Sequence, residues 1–362
     1  MRKNFHAAMQ AKPYVAAIAL LLSFLILMDQ AYSQQIDNGH QNLRSLFSTP
    51  SQWTYTDPVV SPESRESETS HAQKDPTIVH FGGQWHLFMT VKLEDRTVLE
   101  YCCFKSWDEA NTSQRHLLRL VDSRYFCAPQ VFYYEPQKLW YLIYQVGHPG
   151  DRFLRVAYST TASIEKPESW SQARYCLDAG PRDTRTEGGL DFWVICDEQR
   201  AYLFYTSPGG KLWRLWTTRE EFPHDFRDCQ LALRGEFFEA SHIYYVKDWQ
   251  RYLNLIEQDG RRYYKAYIAE QLDGEWLPLA DSEKKPFAGM VNIAPAANVE
   301  AWTDNVSHGE LLREGHTERL EVRSDKWKFL FQGMLETEKR NKNYGGFRWR
   351  LGLLEGVPTS KP

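Results

Sequence analysis

The chain reads as an all-β protein, a five-bladed β-propeller, on three observations. First, an aromatic-rich strand core is written five times: Trp85-His86-Leu87-Phe88, Trp140-Tyr141-Leu142-Ile143-Tyr144, Tyr202-Leu203-Phe204-Tyr205, Tyr252-Leu253-Asn254-Leu255 and Phe329-Leu330-Phe331-Gln332. Second, each core follows a shorter apolar strand and a turn. These short strands open near Asp75, Gln130, Asp191, Glu239 and His308, at intervals of about 48 to 69 residues, the period of a four-stranded blade or slightly more. Third, no heptad run, low-complexity tract or long amphipathic helix interrupts the pattern.

The elements follow in order. In the first repeat, Asp75 to His80 is a β-type run, Gly82-Gly83 a hairpin turn, and Trp85 to Val91 the return strand. The second opens at Ala128-Pro129-Gln130, turns at Pro136-Gln137-Lys138, returns through Trp140 and adds Phe153 to Ser159 outside. The third is the cleanest meander, with Leu190 to Ile195, Ala201 to Thr206 and Leu212 to Thr217. The fourth holds Glu239 to Val246, Tyr252 to Glu257 and Tyr263 to Ala269. The fifth opens at Asn305 to Glu310 and closes with Leu320 to Val322, Phe329 to Gln332 and Phe347 to Leu354. Pro278 to Asn298 and Glu336 to Gly345 are expected as insertions that shape the mouth of a site.

At 362 residues the chain could hold two average domains, but the repeat fills almost everything after Trp53, so one domain is expected over residues 53–357. Ahead of it, Arg2, Lys3 and Lys12 precede the apolar run Tyr14 to Met28, and Ala31-Tyr32-Ser33 supplies small exit residues. This is the pattern of a secretory signal over residues 1–33, followed by a polar tether over 34–52. The expected location is therefore extracellular, with a periplasmic or surface-anchored one as the alternatives, and no membrane association is expected beyond the signal. Export permits disulfides, but the six cysteines allow fifteen pairings and the sequence does not select one. Adjacent Cys102 and Cys103 face opposite sides of a strand, and no Cys-x-x-Cys zinc spacing occurs. Sequons at Asn111 and Asn305 matter only in a host that glycosylates secreted chains.

A net charge of −4 excludes the basic surface of a nucleic-acid binder. The nucleophile elbow, P-loop, dinucleotide fingerprint and zinc-protease helix are also missing from the sequence. What remains is a set of carboxylates. In a propeller the start of each innermost strand points at the central channel, which would gather Asp75, Asp191 and Glu239 into one pocket. Lys74 beside Asp75 favours an ionised base, whereas Phe238 and Ala240 around Glu239 favour a protonated acid. Asp191 either tunes that acid or simply binds a backbone amide. The channel-facing His308 is a packing residue, a metal ligand or a plug, and Glu310 beside it is a weak metal signal. Most of the 13 Trp are blade-packing residues, and the remainder could stack on sugar rings.

At these residues the chain resembles glycoside hydrolase family 62, α-L-arabinofuranosidases that remove arabinose branches from arabinoxylan. The matching segments include Lys74 to Val79, Gly83 to Phe88, Ala128 to Tyr133, Trp140-Tyr141-Leu142, Asp191 to Asp197, Phe238-Glu239-Ala240, Pro286 to Gly289, Ser307 to Leu311, Phe331-Gln332-Gly333 and Arg350 to Leu354. They run in the family's order over about residues 53 to 354. The resemblance implies a five-bladed propeller and an inverting reaction, with Asp75 as general base, Glu239 as general acid and Asp191 tuning and orienting the acid. It further implies sugar contacts by Lys74 and near Gln130, Trp140, Trp193 and Glu257, and a structural calcium ion near His308. Near the end the family reads Pro-Tyr-Arg-Leu-Gly where this chain has Arg348-Trp349-Arg350-Leu351-Gly352, so Trp349 stands at a pocket-shaping position. The implied partner is arabinoxylan or a related plant cell-wall polysaccharide, acted on by a monomer. A related five-bladed β-xylosidase or arabinanase, or a non-catalytic glycan-binding propeller, are the competing readings.

Overall fold

The computed structural model describes residue 28 and residues 46–63, 68–177, 187–258, 260 and 262–357. Apart from residue 28, the expected signal segment lies outside them, as does most of the tether, and no helix among the described residues is long and apolar enough to cross a membrane.

Five sheets form, one per repeat. The innermost strands are Ala72–Phe81, Phe126–Tyr134, Leu190–Cys196, Glu239–Val246 and Ser307–Leu311. Each pairs antiparallel with the aromatic-core strand that follows it: Gln84–Lys92, Leu139–Val146, Arg200–Ser207, Arg251–Glu257 and Lys328–Gly333. The cores are almost wholly buried, because the inner strands meet neighbouring blades on both faces. Between the first two blades the contact is a single apolar cluster containing Phe88, Tyr101, Val131, Trp140, Leu142 and Tyr144.

The last blade departs from the sequence expectation. Its outer strand comes from the opposite end of the domain: Trp53–Tyr55 pairs antiparallel with Arg350–Gly356, so the N-terminal strand closes the ring on the C-terminal one. Ile293–Pro295, inside the expected insertion, adds a parallel strand outside it. Glu321–Val322, expected in the fifth blade, instead edges the fourth, parallel to Tyr245-Val246. The six cysteines are all free thiols, and four of them are buried.

The inner strands share one irregularity that decides where the site lies. Each has a register shift near its start, after Lys74, Cys127, Leu190, Glu239 and Ser307 respectively. In four of them the next residue is left-handed: Asp75 (φ 46°), Ala128 (51°), Asp191 (56°) and Ala240 (54°). A bulge of this kind spoils the strict alternation of a strand and re-aims side chains. It also costs about 1–2 kcal/mol wherever the residue carries a Cβ. The backbone N–H at each bulge is held from the preceding blade: Asp75 by Gln332 Oε1 (2.9 Å), Ala128 by Thr90 Oγ1 (2.9 Å), Asp191 by Gln145 Oε1 (2.9 Å) and His308 by Glu257 Oε2 (2.9 Å). In the fourth blade the acceptor again comes from the preceding blade but from its inner strand, Asp191 Oδ2 taking the Ala240 N–H at 2.8 Å.

Two residues further along, a second layer crosses the channel and stitches each blade to the next. Thr77 Oγ1 accepts the Val131 N–H (3.1 Å), and Gln130 brackets Val194 with two 2.7 Å bonds. Trp193 Nε1 donates to Ile243 O (2.9 Å), and His242 Nδ1 lies 2.6 Å from Gly309 O. Glu310 completes this layer through its 2.8 Å ion pair with Arg313, which donates to the Ile78 and Val131 carbonyls.

Candidate active site

The bulges bring the first layer together at one mouth of the channel. A cavity of 310 Å³ there is lined by Lys74, Asp75, Tyr125, Cys127, Gln145, Leu154, Leu190, Asp191, Phe238, Glu239, Arg262, His308 and Tyr344. Asp75, Asp191 and Glu239 thus converge from three blades. Asp75, Asp191 and His308 are each the residue just after the register shift, whereas Glu239 is the residue just before one, the position that Lys74 has in the first blade. The three carboxylates are therefore not at one repeat position. The bulge turns two successive residues toward the same mouth.

Their surroundings set them apart. Burial pushes Asp75 upward, but Lys74, its Nζ 3.8 Å away, and His308, its Nδ1 3.3 Å away, together hold the carboxyl below its usual range. Burial raises Glu239 to about 7, reinforced by the charge of Glu257 and opposed by Arg262, whose Nη1 donates at 2.8 Å. Asp191 is pushed well up by burial and by repulsion from Glu239 and Asp75, so Asp191 and Glu239 titrate as a pair. Burial also lowers His308 against the attraction of Asp75, leaving a neutral imidazole between the two aspartates, 3.8 Å from Asp191.

The other expected contacts divide. Lys74 lines the pocket, its ammonium 5.0 Å from the centroid of the Tyr344 ring. Glu257 lies one step behind, fully buried, receiving Arg262, Ser307 Oγ (3.1 Å) and the His308 N–H. Trp349 is buried beneath Arg262, the guanidinium 5.7 Å from its ring centroid, and does not line the cavity. Gln130 and Trp193 sit in the stitching layer, with both ends of the Gln130 amide on Val194 and the Trp193 ring stacked 4.1 Å from His242. Trp140 packs among Phe81, Tyr133 and His316. Strand position explains the first two, since Gln130 and Trp193 follow the bulge and face a neighbouring blade, whereas Trp140 lies on the second strand, paired with Tyr133 at the end away from the bulge.

Arg262, Tyr344, Tyr125 and Gln145 line the pocket although sequence reasoning passed over them. A signal for Arg262 existed in its position five residues after Glu257 across a hairpin turn. Tyr344 stands in the expected mouth-shaping insertion beside two glycines. The donor set around His308 does not fit calcium. Calcium takes six to eight oxygens, whereas no group of three or more His, Cys, Asp or Glu side chains among the described residues is placed to hold an ion. His308 Nδ1 is turned to the two aspartates instead.

A pocket of opposed carboxylates at the mouth of a five-bladed channel can be compared with known proteins. The sequence pattern of Glycosyl hydrolase family 62 matches residues 52–355. The chain belongs to this family. Alpha-L-arabinofuranosidase C of Cellvibrio japonicus (strain Ueda107) is 33% identical over 314 residues, covering 84% of this chain. The chain spans only 47% of that protein's length. The structure of the catalytic domain of a family 62 α-L-arabinofuranosidase from Coprinopsis cinerea is 33% identical, with a TM-score of 0.77 over 84% of this chain and 98% of that one. A family 62 hydrolase solved in complex with xylotriose is 30% identical, with a TM-score of 0.76 over 86% and 99% of the two chains. Membership accounts for the five sheets and makes this chain a glycoside hydrolase.

Proposed function

We propose that this family 62 hydrolase is an exported enzyme that removes α-L-arabinofuranosyl branches from arabinoxylan in one inverting step. The observation that carries the reading is the opposite tuning of two carboxyls in one small pocket: Asp75 kept below its usual range by Lys74, and Glu239 raised to about 7. Asp75 takes a proton from water on one side of the furanose ring while Glu239 gives its proton to the departing xylose oxygen on the other. Inversion calls for carboxyl groups about 6.5–9.5 Å apart, leaving room for that water, and forms no covalent sugar intermediate. Asp191 accepts the N–H of Ala240, the residue next to Glu239, and so fixes the direction from which the acid approaches.

At 310 Å³ the cavity is at the lower end of ligand pockets, which suits a single branch sugar rather than a polymer. A second cavity of 430 Å³ shares Arg262 and carries the exposed Met290 and Val291, offering space beside the pocket for a main chain. The basic, apolar and small-residue order of the first 33 residues supports export. The test is sugar release from wheat arabinoxylan. Free arabinose with the xylan main chain left intact is expected. Release of xylose, release of arabinose oligomers from arabinan, or binding without any released sugar would each overturn the assignment.

A further inference from the structure

We propose that Glu257 is a positioning residue for the reaction: by occupying Arg262 it leaves Glu239 free to carry the proton that the leaving group needs. The inference rests on the reading of Glu239 as proton donor. Glu239 and Glu257 are directly opposite one another where the first two strands of the fourth blade meet, an unfavourable arrangement for two carboxylates. Arg262 Nη1 sits between them and donates to both, and also lies 3.2 Å from Ser307 Oγ.

The two carboxylates are held unequally. Glu257 is fully buried and takes three donors: Arg262 on one oxygen, and Ser307 Oγ and the His308 N–H on the other. Tied on both oxygens, Glu257 is the principal partner of the guanidinium. Glu239 receives Arg262 on one oxygen and otherwise faces the cavity, where Lys74, Asp75, Asp191, His308 and Tyr344 surround it. Lys74 is matched by Asp75, and His308 is neutral, so once Glu257 has cancelled Arg262 the carboxyls left over are Asp191 and Glu239. Two such buried groups in one pocket hold a proton between them. Without Glu257, the nearest counter-ion of Arg262 is Glu239 itself, and a carboxylate that neutralises a buried guanidinium is a poor proton donor.

The experiment compares two leaving groups across pH. Arabinoxylan departs as a xylose alkoxide and needs the proton, whereas para-nitrophenyl α-L-arabinofuranoside departs as a stabilised phenolate and does not. Glu257→Gln keeps the shape and removes the charge. It should lower kcat on arabinoxylan about tenfold or more, move the basic limb of its pH profile down by about one unit, and leave kcat on the aryl substrate within about threefold. Glu257→Asp should keep the limb in place. The double variant Glu257→Gln/Arg262→Gln, which removes cation and counter-ion together, should restore it. Equal losses on both substrates, an unmoved limb in Glu257→Gln, or a limb still displaced in the double variant would overturn the proposal. Glu239→Gln is measured alongside. If it hydrolyses arabinoxylan normally, the assignment of the acid has failed. If it loses arabinoxylan selectively while Glu257→Gln does not, only the role of Glu257 has failed.

Discussion

Two layers of the channel, separated by two residues along each inner strand, use similar side chains to opposite ends. In the first, Asp75, Asp191 and His308 meet Glu239 and Lys74 around an open cavity. Counting Glu257 and Arg262 behind them, four carboxylates share two cations, so two carboxyls lack a permanent counter-ion and are pushed toward their protonated forms. In the second layer, Thr77, Gln130, Trp193 and His242 each contact the backbone of the next blade, and Glu310 meets Arg313 one to one. Polar groups whose partners lie in the next blade hold blades together, even where burial raises a carboxyl such as Glu310 to about 7. Carboxyls in excess of their cations and aimed at a cavity do chemistry.

The contrast can be broken most sharply at its two extremes. Asp75→Asn should lower kcat on arabinoxylan by about 10²–10⁴, while Tm falls only modestly through the loss of the Lys74 and His308 contacts. Both are read on the same sample by reducing-sugar assay and calorimetry. A Tm drop as large as that of a core cavity would show that the first layer is structural after all. Glu310→Gln is its mirror image. It strands the buried Arg313 and should cost about 3–5 kcal/mol by urea unfolding, with kcat/KM per folded molecule unchanged. Gln130→Leu belongs with it, leaving the Val194 N–H and C=O unpaired at about 2–4 kcal/mol. A raised KM with intact stability would instead return Gln130 to the sugar site.

The pH dependence sharpens the same contrast. With Glu239 at about 7 and Asp75 below its usual range, kcat/KM should fall on the basic side near pH 7 and hold on the acid side to about pH 4. Stability carries the opposite signature to that of a paired surface carboxylate. Between about pH 4.5 and pH 7 the native Glu239 keeps a proton that the unfolded chain has released, so stability falls as pH rises through this window, and Glu239→Gln should flatten the slope. Asp75 acts in the reverse sense, its contribution present above the unfolded carboxylate pKa and lost as pH falls through the lower native one. The smallest effect is expected at Trp140→Phe, which trims contacts with Phe81, Tyr133 and His316. It should cost about 1–2 kcal/mol and change kcat/KM less than twofold.

Much of the fold was legible because each blade repeats a local signal, an aromatic strand after a turn, that needs no knowledge of distant partners. Trp53–Tyr55 carried no such signal. It is three residues long, and its partner Arg350–Gly356 lies at the other end of the domain. The carboxylates at the mouth could be read from strand starts, yet the register shifts that place Glu239 before its bulge and the aspartates after theirs leave no mark in the alternation. For the same reason Gln130 and Trp193 appear as sugar contacts by resemblance and are found between blades. Arg262 acquires its importance only when Glu239 and Glu257 are seen face to face, a cross-strand fact that a linear pattern does not contain.

The most direct test of the central claim, that the unbalanced mouth of the channel carries out a single displacement, is proton NMR of arabinose in the first minutes of arabinoxylan hydrolysis. The account predicts β-arabinofuranose as the first anomer, with the α form growing in only by mutarotation. The α anomer appearing first would mean two displacements through a covalent intermediate, and would contradict the division of labour between Asp75 and Glu239.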